Sequence, residues 1–113
     1  MTPENQIKLA ICDWLSAHKI FVFQHDSVGI FDPVKKRYRI SRTKYRLKGV
    51  ADILGLLPTG KFIAIEVKTK SGRLTPEQEV FLDRVSENGG IAFVARSVDD
   101  VRCALDRTGT ILR

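Results

Sequence analysis

The sequence predicts an α/β fold, a mixed central β-sheet flanked by helices in the order α-β-(ββ)-ββ-α-β-α. Three observations lead there. Residues 49–70 read as two apolar strands joined by the tight turn Pro58-Thr59-Gly60. Two stretches with apolar residues at helical spacing each open on Thr-Pro, at Thr2-Pro3 and at Thr75-Pro76, where Thr serves as N-cap and Pro takes the first helical position. Residues 91–95 (Ile-Ala-Phe-Val-Ala) are apolar throughout, the pattern of a strand in a parallel or central setting. With 113 residues, 43% of them hydrophobic, the chain fits one compact domain over 1–113 with a modest core.

Taken in order, the first helix runs from Pro3 to about His18, with Ile7, Ile11, Trp14 and Leu15 as its apolar stripe. Glu4 shares that face at the N-terminal end. It reads either as a first-turn carboxylate favoured by the helix dipole or as an acid leaning over a site beyond the helix. Residues 20–24 form a short strand flanked by His18 and His25, neither of which the sequence sets beside a carboxylate. Residues 28–31 and 37–40 form a hairpin around Asp32-Pro33. After the central hairpin, Thr75-Pro76-Glu77-Gln78 opens a helix with a capping-box arrangement. Phe81, Leu82 and Val85 are its inward face and Asn88-Gly89-Gly90 its stop. The last helix starts at Ser97 and runs to about Asp106, with Asp99 and Asp100 in its first turn as capping residues.

The central hairpin carries the chemistry. Its three-residue loop, with Pro leading and Gly in the left-handed position, makes Leu57 and Lys61 the first pair. Counting outward brings Asp52 opposite Glu66. Side chains so placed have Cβ atoms roughly 4.5–5.5 Å apart, and like charges there are destabilising. A hard divalent cation relieves that conflict, because Mg²⁺ is commonly held by one or two carboxylates plus waters. Period-2 alternation puts Lys68 on the same face as Glu66, and Ile63, Ile65 and Val67 on the opposite, core-facing one. Two acids and a lysine on one face of a hairpin suit the hydrolysis of phosphodiesters.

Asp52 followed by Glu66-Val67-Lys68 resembles the signature of the PD-(D/E)XK nuclease superfamily. The later Thr75-Pro76-Glu77-Gln78 and the small size of the chain are similar to its VRR-NUC branch, and the resemblance covers nearly the whole chain. Ala51 stands where the superfamily name has proline. The resemblance implies a restriction-endonuclease-like core and a metal-dependent endodeoxyribonuclease. In that scheme Asp52, Glu66 and the backbone carbonyl of Val67 hold Mg²⁺ or Mn²⁺, and Glu4 is a further candidate ligand. Lys68 stabilises developing charge or positions hydroxide, and Gln78 orients the attacking water or a phosphate oxygen. Capping alone is the competing account of Gln78. Free-standing members of the family imply a homodimer cutting four-way (Holliday) DNA junctions. The rival readings are a flap- or single-strand-directed nuclease working with a helicase partner and a non-catalytic nucleic-acid-binding module.

Charge supports a polyanionic partner. The formal net charge is +6, with a sequence pI of about 9.6. Residues 35–48 hold eight Lys or Arg in fourteen positions and no acid. Lys35, Lys36, Arg37, Arg39, Arg42, Lys44, Arg46 and Lys48 are interleaved with Tyr38 and Tyr45, which can stack on bases or sugars. A solvated charged face is the alternative to a phosphate-binding segment. Cys12 and Cys103 lack Cys-x-x-Cys or Cys/His spacing and read as reduced thiols. No apolar run approaches the ~20 residues of a membrane span and no signal peptide is evident, so the expectation is an intracellular, cytoplasmic, soluble protein without a membrane partner.

Overall fold

The computed structural model describes residues 1–26, 30–39 and 44–112, without the side chains of residues 30–32, 38 and 39. Its elements follow the expected order: α1 (Pro3–Ala17), β1 (Phe21–Gln24), β2 (Ile30–Asp32), β3 (Arg37–Arg39), β4 (Ile53–Leu56), β5 (Phe62–Val67), α2 (Pro76–Glu87), β6 (Ile91–Ala95) and α3 (Val98–Arg107). Four strands form one sheet in the order β1-β4-β5-β6, and β2 and β3 pair separately as a two-stranded hairpin. β1 and β4 are antiparallel, as are β4 and β5, while β6 runs parallel to β5 with α2 as the crossover between them. The sheet is therefore mixed, with β6 in the parallel setting that its unbroken apolar run allows, at the end of the sheet and not in its middle.

Local chemistry explains where the helices begin. The Thr2 hydroxyl accepts from the backbone N–H of Asn5 at 3.2 Å, with Pro3 in the first turn. Thr75 builds the full capping box: its hydroxyl accepts from the N–H of Gln78 at 3.2 Å, and the Gln78 side-chain oxygen accepts from the N–H of Thr75 at 2.9 Å. Two N–H groups that a helix start leaves without partners are thereby satisfied. Ser97 caps α3 through the N–H of Asp100. In the central hairpin the N–H of Leu57 donates to the carbonyl of Lys61 at 2.9 Å, and Gly60 adopts φ +90, the left-handed position that its loop demands.

The core lies on both faces of the sheet. On one face Ile53, Leu57, Ile63, Ile65, Val67, Ile91 and Ala95 pack with Ile11 and Leu15 of α1 and Val101 and Leu105 of α3. On the other, α2 lays Leu82 over Ala51 and Ala64, with Leu54, Val85 and Ala92 beside them. The α2 face is thinner. Phe21, Leu56 and Phe62 lie opposite one another across three strands, and all three are exposed there along with Phe23. The expected hairpin around Asp32-Pro33 is present as β2 and β3, though Val28 and Ile40 fall outside the described residues. Among the described residues no helix is long and apolar enough to cross a membrane.

Candidate active site

The β4–β5 ladder runs from Leu56 opposite Phe62 to Ile53 opposite Ile65, the register that the loop dictates. One residue further out, Asp52 lies at the open end of the hairpin. Its backbone carbonyl accepts from the N–H of His25 at 2.8 Å, and its Oδ2 accepts from the N–H of Val67 at 2.8 Å. These two bonds fix both the main chain and the side chain of Asp52 against the strands on either side. Glu66 is central in the sheet, between β4 and β6, and only 2% exposed.

What surrounds Glu66 divides its two oxygens. Oε1 accepts from the Gln78 side-chain amide at 3.0 Å and lies 3.6 Å from the ammonium of Lys68. Oε2 is buried and, among the described residues, has no hydrogen-bond donor, while the neighbouring Asp52 carboxylate is close enough to share a proton with Glu66. A buried oxygen in that condition costs free energy unless something binds it. Burial pushes the Glu66 carboxyl up to about 8, and the charge of Asp52 beside it adds to the rise; Lys68 and Lys8 pull the other way. Gln78 thus serves two partners: its carbonyl oxygen closes the α2 capping box and its amide nitrogen reaches Glu66. Capping, one of the two sequence accounts of Gln78, is present, and the same side chain also contacts Glu66.

Three residues that the sequence reading passed over shape this corner. Lys8, on α1, places its ammonium 3.3 Å from Glu4 Oε1 and 3.4 Å from Asp52 Oδ1. Burial favours its neutral form, but Asp52 and Glu4 outweigh that and hold its pKa above the usual lysine value. Glu4 and Lys8 are four residues apart, the spacing of a helical ion pair, and that was the available signal. Arg96, at the end of β6, donates to the carbonyls of Thr69 and Gly72, bracing the loop that follows Lys68. Its signal was its place at the carboxyl end of a parallel strand, where sites of α/β sheets gather. Gly49 has φ +76 and lies so close to α2 that a Cβ there would come 2.6 Å from the backbone nitrogen of Gln78. Only glycine allows that approach.

The acids do not form a three-carboxylate cage: among the described residues no group of three or more His, Cys, Asp or Glu side chains is arranged to hold a metal ion. Glu4 reaches the site through Lys8, and its own carboxylate is half exposed. Among the described residues, Asp52 and Glu66 are the carboxylates available to a cation. A hard divalent ion with most of its coordination filled by water fits such a two-carboxylate site and would satisfy Oε2.

Of the basic segment, Lys35, Lys36, Arg37, Lys44, Tyr45, Arg46 and Lys48 are exposed. The Lys44 ammonium lies 5.2 Å from the centre of the Tyr45 ring. Arg42 and the side chains of Tyr38 and Arg39 lie outside the described residues. Cys12 and Cys103 are both free thiols.

Comparison with known proteins agrees with this architecture. The sequence profile of the VRR-NUC domain matches residues 4–99. A solved structure described as a VRR-NUC domain superimposes with a TM-score of 0.68 at 20% identity, covering 94% of this chain and 97% of its own. A second, described as a VRR-NUC domain protein, gives 0.65 at 15% identity over 95% of this chain and 88% of its own. At those identities the structural likeness shows the fold. A search of curated protein sequences finds no match.

Proposed function

The chain belongs to the VRR-NUC family, a nuclease-type domain, and on that premise we propose that it is a metal-dependent DNA endonuclease selective for branched structures. The observation that carries the reading is Glu66: a carboxylate buried at mid-sheet, one oxygen without a donor among the described residues, next to the anchored carboxylate of Asp52. A chain selected only for folding gains nothing from this arrangement. Asp52, Glu66 and the backbone carbonyl of Val67 would hold Mg²⁺ or Mn²⁺. Such an ion, when bound, polarises the scissile phosphate and lowers the pKa of its water.

The remaining roles belong to side chains. The Gln78 amide, held in direction by its own capping bond, orients the water that attacks phosphorus. Lys68 sits 3.6 Å from Glu66 with its stem against the Gly72 backbone, and it supplies positive charge to the phosphate as negative charge develops there. The exposed bases at Lys35, Lys36, Arg37, Lys44, Arg46 and Lys48 hold the DNA backbone away from the reacting bond, so binding weakens with salt.

Four-way junctions cut by a homodimer are the substrate and assembly that we favour. A two-fold dimer offers two sites to a two-fold junction. The exposed row of Phe21, Phe23, Leu56 and, in part, Phe62 supports the assembly, since it is a largely aromatic patch open among the described residues. The test is cleavage of end-labelled four-way junction, flap, single-stranded and linear duplex DNA with Mg²⁺ or Mn²⁺. Wild type runs beside Asp52→Ala and Glu66→Ala, with binding measured separately without metal. Paired symmetric nicks in the junction, lost in both variants while binding persists, are the expected result. Cutting confined to flaps or single strands replaces the substrate and keeps the chemistry. Binding without cleavage of any substrate overturns the enzymatic reading in favour of a binding module.

A further inference from the structure

Lys8 is a cation that reaches the site from outside both the hairpin and α2. It comes from α1, which packs on the opposite face of the sheet, and its side chain reaches Asp52 with only 18% of its surface exposed. An isolated Glu4–Lys8 pair on a helix surface would be a minor, solvated interaction. Here the same ammonium also touches Asp52, from another element. The two Asp52 oxygens are thus both engaged: Oδ2 by the Val67 N–H and Oδ1 by Lys8. The Val67 bond holds Oδ2 to the strand, whereas Oδ1 is engaged by Lys8 at 3.4 Å, so a cation drawn to Asp52 meets Lys8 at Oδ1.

We propose that Lys8 is a positioning residue that competes with the divalent ion for Asp52 Oδ1, and that Glu4 is the carboxylate that retains Lys8 when the ion displaces it. The inference rests on the metal-binding reading of Asp52 and Glu66. Physically, Lys8 screens two adjacent carboxylates that would otherwise repel, which favours the folded chain. The same charge opposes a second cation at that place. The metal concentration at which the site fills is then set by a lysine outside the nuclease signature. Glu4 keeps the ammonium beside the site after it yields Oδ1, where it can meet a DNA phosphate.

The test measures Mn²⁺ binding to the full chain in the absence of DNA, by titration calorimetry and by the electron-spin-resonance signal of free Mn²⁺. Wild type is compared with Lys8→Met, Lys8→Arg, Glu4→Gln and Asp52→Asn. Lys8→Met should bind Mn²⁺ roughly tenfold more tightly than wild type, an effect limited by solvent at a partly exposed pair. It should also have a lower Tm without metal and a larger rise in Tm when Mn²⁺ is added. Lys8→Arg, which keeps the charge, should stay near wild type. Glu4→Gln should bind Mn²⁺ more weakly, because Lys8 then leans on Asp52 alone; this variant answers the question even where Lys8→Met fails to fold. Equal or weaker Mn²⁺ binding in Lys8→Met, or unchanged binding in Glu4→Gln, overturns the proposal while leaving the metal site in place. Wild type that binds no Mn²⁺ at millimolar concentration, indistinguishable from Asp52→Asn, overturns the metal-binding reading and this inference with it.

Discussion

Along β5, Ile63, Ile65 and Val67 face α1 and α3, whereas Ala64, Glu66 and, just past the strand, Lys68 lie on the side of α2. The first three are completely buried among aliphatic neighbours, and the cost of losing any of them is a cavity. On the other side an equally buried Glu66 stands where an aliphatic residue would serve the fold better. One strand therefore divides its labour by residue parity: one face is aliphatic throughout and holds the sheet to α1 and α3, and the other joins Ala64, packed under α2, to the charged Glu66 and Lys68. The contrast separates two kinds of damage, loss of fold and loss of chemistry, and the substitutions below are expected to inflict one or the other, except at Gln78, which serves both.

The largest effect falls on the charged face. Asp52→Ala should reduce DNA cleavage at least roughly a thousandfold, the scale on which a lost metal ligand or charge-stabilising group acts. Circular dichroism should show the same helix and strand content as wild type. On the aliphatic face, Ile65→Ala should cost about 2–5 kcal/mol of stability, read by urea denaturation. At a temperature where it is still folded, its cleavage per folded molecule should stay near wild type.

The two faces should also differ in pH response. The Glu66 carboxyl lies near 8 in the folded chain, raised by burial and by Asp52 against the pull of Lys68 and Lys8, and its ordinary value is 4.5. The folded state holds that proton longer than the unfolded one. Its contribution to stability is whole below about pH 4.5 and is lost as pH rises through about 8. Without divalent ions, Tm should therefore fall between pH 5 and 8 by more in wild type than in Glu66→Gln, and Mn²⁺ should reverse the fall. A wild-type Tm with the same pH profile as Glu66→Gln would remove this group from the account. The smallest effect belongs to the residue that serves both purposes. Gln78→Ala should lose about 1 kcal/mol through the capping box and about tenfold in cleavage. Gln78→Glu keeps the capping oxygen but replaces the donor to Glu66 with a second acid beside it, so it should keep the capping contribution, add carboxylate repulsion and fail to recover cleavage.

Much of this arrangement was legible in the sequence because it rests on short-range rules. The Pro58-Thr59-Gly60 loop sets the register, the register sets Asp52 opposite Glu66, and alternation sorts β5 into its two faces. The capping box at Thr75 placed Gln78 at the first turn of α2. What could not be read depends on contacts between elements distant in sequence. Lys8 falls on the Ile11 and Leu15 side of α1, and its meeting with Asp52 follows from how α1 crosses the sheet. Arg96 bridges to Thr69 and Gly72 only because β6 lies parallel to β5. The Gly49 requirement comes from α2 seated against it, which no turn motif announces. Glu4 shows the limit most plainly: its place on the apolar stripe was right for reaching the site, but the partner it finds there is a lysine.

The most direct test of the central claim, that Glu66 is kept for chemistry at the expense of the fold, is Glu66→Gln measured twice on one preparation. Thermal unfolding at pH 8 without metal and Mn²⁺-dependent cleavage of a four-way junction are recorded side by side. The account predicts a Tm equal to or above wild type together with cleavage reduced to background. A variant that is less stable than wild type yet still cuts, in proportion to the fraction folded, would make Glu66 a structural residue and contradict the account.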